Sequence, residues 1–83
     1  MPADDAGVRA QRAMQAIRAY FARHAFAADT ELGIAQWWLP EMGVDVPLID
    51  VRHALQALVE QGHAERQVLP DGTAVYRAPQ ARA

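Results

Sequence analysis

Between Val8 and about Phe26 the chain has no proline or glycine, and its apolar positions recur at helical spacing. Ala10, Ala13, Met14, Ile17, Tyr20, Phe21 and Ala25 fall on one side of a helical wheel, while Arg9, Arg12 and Arg23 gather on another. That pattern predicts an amphipathic helix with one face on a core. Ala27-Ala28-Asp29-Thr30 breaks the period. Asp29 or Thr30 suits the cap of a second helix, because a short side-chain oxygen can accept from the N–H groups left free at a helix start. Leu32, Ile34, Ala35, Trp38 and Leu39 share a face of that helix. Pro40 is expected to end it, since proline lacks a donor and disfavours helix in the residue before it. Gly33 costs about 1 kcal/mol relative to alanine inside a helix, and is expected to allow close approach of another helix.

Glu41 to Val46 reads as a turn around Gly43. Pro47 suits a first helical position, where a missing N–H costs nothing. Val51, Ala54, Leu55, Leu58 and Val59 then repeat at three and four through a third helix over 47–61, with Gly62 as its C-terminal cap. Beyond Gly62 two short strand-like stretches, 64–68 and 73–77, flank Leu69-Pro70-Asp71-Gly72. Proline presets φ, aspartate bonds its own backbone and glycine takes positive φ, so a hairpin is expected. Residues 1–7 and 78–83 read as a disordered lead and a flexible tail around one domain over 8–77. The expected fold is mainly α with a small β-hairpin.

Eighty-three residues make one domain, which buries only about 60% of its unfolded surface. Alanine supplies much of the apolar content and little burial. Packing therefore falls to Met14, Ile17, Phe21, Leu32, Ile34, Trp38, Leu39, Val51, Leu55, Leu58 and Tyr76. With no cysteine in the sequence, disulfides, thiolate nucleophiles and cysteine zinc sites are excluded. His24, His53 and His63 form no pair at metal-ligand spacing. There is no serine and no glycine-rich phosphate loop, and Glu60 and Glu65 imply no pocket for acid–base work. The chain is expected to be no enzyme and to hold no cofactor. No apolar run reaches membrane-spanning length, and Met-Pro-Ala-Asp-Asp lacks the basic-then-apolar pattern of a secretory signal; a cytoplasmic protein is expected.

Charge is unevenly distributed. Residues 1–23 hold four arginines and two acids, and residues 52–83 four arginines and three acids. Residues 24–51 hold Asp29, Glu31, Glu41, Asp45 and Asp50 and no base apart from His24.

The order helix, helix, turn, helix, hairpin resembles the winged helix-turn-helix superfamily. The likeness is carried by Asp29-Thr30-Glu31-Leu32-Gly33-Ile34-Ala35 as a capped second helix and by Val51 to Gly62, with its Leu-Val-x-x-Gly ending, as a recognition helix. Glu65-Arg66 through Pro70-Asp71-Gly72 to Tyr76-Arg77 stands as the wing. The resemblance implies a three-helix domain whose third helix enters the DNA major groove. Leu48, Ile49, Arg52, His53 and Gln56 are then the candidates to face base edges. Arginine can read guanine and glutamine adenine through paired hydrogen bonds. Arg66 or Arg77 would lie near phosphate, which positions without specifying.

Two functions follow. The first is a small DNA-binding regulator, acting as a homodimer because one domain buries little surface. The second is an acidic adaptor that binds protein, not DNA, through Trp37, Glu41 and Asp45. Phosphate would repel the acidic turn, and Asp50 in the first turn of helix three opposes nucleic acid. Tryptophan is enriched at interface hot spots, and the adaptor reading requires Trp37 to be exposed. The turn over 40–46 also exceeds the three or four residues of a tight helix-turn-helix.

Overall fold

A computed structural model describes residues 6–79. Helix α1 spans Ala6–Arg23 and strand β1 Ala28–Asp29. Helix α2 runs over 31–41 as an α-helical turn Glu31–Gly33, a π-helical turn Ile34–Trp38 and a final α-helical turn Leu39–Glu41. Helix α3 covers Leu48–Glu60, and strands β2 Glu65–Val68 and β3 Ala74–Arg77 close the domain. The flexible ends expected at 1–5 and 80–83 lie outside the described residues. Gly7, placed in the lead by the sequence, is helical, and Ala78 packs against the core.

The core lies where α1 packs on α3. Ala13, Ala16 and Ala54 are buried there together with Ile17, Val51, Leu55 and Leu58. The alanines, expected to add little, let the two helix backbones approach so that the larger side chains interlock. A ring cluster ties α1 to α2. Tyr20 stacks on Trp38 at 4.3 Å between centroids, and Phe21 meets Trp38 edge-on at 5.6 Å, both favoured geometries for aromatic pairs. α1 ends at Arg23, short of Phe26, whose ring is 92% exposed.

Helix α2 departs from expectation at three points, and one cause links two of them. It does not stop before Pro40. In a regular α-helix the proline ring would collide with the carbonyl four residues back. The π turn ahead of it, in which Leu39 N–H bonds to Ile34 C=O, widens the coil there and lets it continue to Glu41. That turn holds one extra residue, so the 3.6 period drawn back from Leu39 loses its phase. Leu32, expected in the core, is consequently 53% exposed. The third departure is Gly33, where the nearest neighbour is not a helix but the Asp29 carboxylate, which lies where a Cβ would stand.

The expected caps form. Thr30 Oγ1 accepts from Gly33 N–H at 3.1 Å, and Asp29 Oδ1 accepts from Thr30 N–H at 2.8 Å. α3 ends at Gly62 with φ of 79°. His63 N–H bonds to Leu58 C=O and Gly62 N–H to Val59 C=O, the paired bonds of a Schellman cap. Pro47 stands one position before the helix, as its N-cap.

The hairpin is part of a three-stranded antiparallel sheet in the order β1-β3-β2. Glu65 pairs with Arg77 and Arg66 with Tyr76, while Ala28 and Asp29 pair with Arg77 and Tyr76. The third strand, β1, lies in the stretch that read only as a break. At two residues it is too short to show alternation.

Candidate functional site

α3 presents Leu48, Ile49, Arg52, His53 and Gln56 to the outside; all five are exposed. The spacing that sends Val51, Ala54, Leu55 and Leu58 into the core leaves these positions on the opposite face. Asp50 does not join them. It is 1% exposed, and its Oδ2 accepts from Arg9 Nε at 2.8 Å. The acid expected to oppose nucleic acid from the first turn of α3 instead points inward, onto a cation supplied by α1.

Strand register decides which hairpin arginine faces α3. Residues directly opposite on paired strands share a sheet face, and neighbours along a strand alternate. Arg66, opposite buried Tyr76, is on the side toward α3. Arg77, opposite Glu65, is on the other. Arg52, Gln56, Val59 and Glu60 of α3 accordingly face Arg66 and Tyr76 across an open groove of about 370 Å³. Of the sequence candidates the groove unites Arg52, Gln56 and Arg66. Leu48, Ile49 and His53 lie on the same helix face but do not line it. Arg77 is turned away, with its Nε 3.3 Å from Glu65 Oε1.

Arg52 is held by α2: its Nε donates to Glu31 Oε1 at 3.2 Å. Exposed pairs of this kind contribute roughly 0–1 kcal/mol, so neither the Arg52 nor the Arg77 pair adds much to the stability of the domain. Arg66 has no ion-pair partner among the described residues. Glu31, Val59 and Glu60 are not among the residues that the sequence pattern points to for this site. Glu60 was within reach, four positions beyond Gln56 on the same helix face. Glu31 was not, because a pair across two helices has no local signature.

Trp37 is 69% exposed, and Glu41 and Asp45 are exposed as well. Trp37 and Glu41 stand four apart along α2, Asp45 follows in the connecting loop, and none of the three lines the groove. Among the described residues no three His, Asp or Glu side chains gather as a metal site, and no helix is long and apolar enough to cross a membrane.

Compared with protein-family models, curated proteins and solved structures, the chain matches none. The groove thus has to be interpreted from its own chemistry. Two arginines and a glutamine converge on an open, water-accessible channel. That set donates hydrogen bonds to flat, acceptor-rich or anionic partners.

Proposed function

We propose that this is a winged-helix module that binds duplex DNA, with α3 in the major groove and the β2–β3 hairpin as the wing beside it. One observation carries the reading. Leu48, Ile49, Arg52, His53 and Gln56 are exposed along the outward face of α3, and Arg66 of the hairpin stands across a groove from Arg52 and Gln56. In this arrangement Arg52 and Gln56 offer bidentate contacts to guanine and adenine, and Leu48 and Ile49 offer apolar contact to thymine methyl groups. Arg66 supplies a phosphate contact. Arg77, on the other side of the hairpin, has no part in it. The burial of Asp50 on Arg9 supports the reading further, since it removes an acid from the approaching surface. Two copies on a two-fold related site would supply the surface that specific binding needs.

Exposed Trp37 with Glu41 and Asp45 favours a second reading, an adaptor that docks a basic protein segment carrying an apolar anchor. Amide shift mapping by NMR with a mixed-sequence duplex at low salt separates the two. Shifts concentrated at residues 48–56 and around Arg66 are expected for DNA binding. Unshifted spectra at excess duplex would overturn it and leave the surface around Trp37 as the site.

A further inference from the structure

Arg52 is the side chain best placed to read a base, and α2 holds it in one particular way. Glu31 Oε1 takes the Nε–H, and no second partner of Arg52 occurs among the described residues. The two terminal nitrogens, with four N–H donors in a planar fork, are left for a ligand. Guanine O6 and N7 accept such a fork in pairs. The Arg52 side chain is 53% exposed and that of its partner Glu31 27%, so the guanidinium is the more accessible of the two groups.

Glu31 is itself firmly set. It is the first residue of α2, directly after the Thr30 cap, where a negative charge is favoured by the helix dipole. Asp29 fixes the Thr30 N–H and lies against Gly33. The carboxylate is thus mounted on a capped helix start and not on a loose loop.

We propose that Glu31 is a positioning residue that orients Arg52 to read guanine, trading general affinity for base preference; this rests on the DNA-binding reading. The two effects have opposite signs. A carboxylate beside the phosphate backbone weakens binding to every sequence. The same carboxylate narrows the orientations of a long side chain toward those in which its fork meets a base. An acid that is merely repulsive would do the first and not the second.

The test is enrichment from a randomised duplex library by wild type, Glu31→Gln and Arg52→Ala, followed by anisotropy on the enriched and scrambled duplexes. Glu31→Gln leaves the Thr30 cap intact, and circular dichroism checks the fold. The wild type is expected to enrich a guanine at one position that Arg52→Ala does not. Glu31→Gln should lose roughly tenfold of that preference while binding the scrambled duplex several-fold more tightly. An undiminished guanine preference in Glu31→Gln overturns the positioning role and leaves DNA binding standing. Binding without any enriched guanine in wild type also overturns it. No duplex binding by any variant removes the DNA reading and this inference together.

Discussion

Arg9 and Asp50, 41 residues apart in sequence, form a hydrogen-bonded ion pair with Nε 2.8 Å from Oδ2. It joins the first turns of α1 to the first turn of α3, beneath the face proposed to meet DNA. The carboxylate is 1% exposed and the guanidinium side chain 28%. Removing one partner of such a pair leaves a charge that the interior cannot solvate.

Arg9→Ala should therefore destabilise the domain by about 3 kcal/mol, well beyond an ordinary surface substitution. Urea denaturation gives the number from the midpoint at constant slope. The double variant Arg9→Ala, Asp50→Ala should cost less than the sum of its parts. Additive costs would mean that the pair does not act as a unit.

The adjacent tryptophans should behave oppositely. Trp38, stacked on Tyr20 and edge-on to Phe21, is expected to cost about 3–5 kcal/mol on replacement by alanine. Trp37→Ala should change stability by no more than about 0.5 kcal/mol. Acrylamide quenching of the two single-tryptophan variants checks the same point independently, with strong quenching wherever Trp37 is the fluorophore.

Gly33→Ala should be destabilising, although glycine to alanine inside a helix normally gains about 1 kcal/mol. The Asp29 carboxylate occupies the space of the new methyl group. In an Asp29→Ala background that obstacle is gone, and Gly33→Ala should turn neutral or stabilising. Thermal melts of the four combinations reveal the change of sign.

Asp71 in the hairpin turn titrates below the usual carboxylate value, because the Thr73 backbone N–H and then its side chain bond to the charged form. A carboxyl lowered in the folded state stabilises it above the unfolded value, and that contribution disappears as pH falls through the lowered one. The side chain is fully exposed, so the effect is local to the turn. Carboxyl-detected NMR should show the Asp71 midpoint moving up toward the ordinary value when Thr73 is replaced by proline, which has no N–H to donate.

Most of the fold was legible in the sequence, for reasons visible in particular residues. Ile17, Phe21, Val51, Leu55 and Leu58 sit in regular helices, where a fixed period converts directly into a buried face. Gly62 and Pro70-Asp71-Gly72 mark their turns because backbone geometry there demands those residue types. Leu32 and Pro40 depart from expectation through one cause, since the π turn between them shifts the helical phase at Leu32 and makes room for the proline ring. β1 was invisible because its two residues pair with a strand some fifty positions away. Of the site, the α3 face followed from the inward positions by subtraction. The split between Arg66 and Arg77 needed the strand register, the inward turn of Asp50 needed Arg9, and the Glu31–Arg52 pair needed the packing of α2 on α3. Each of these is set by contacts between elements distant in sequence.

If the groove between α3 and the hairpin meets duplex DNA, as proposed, the affinity must depend steeply on salt. Fluorescence anisotropy with a labelled duplex should be followed from about 0.01 M salt, where charges act over about 30 Å, to physiological salt, for wild type and Arg66→Ala. The affinity should fall linearly on logarithmic axes, with Arg66→Ala weakening binding to all sequences alike and lowering the slope by about 1. Wild-type protein that fails to bind at the lowest salt would contradict it.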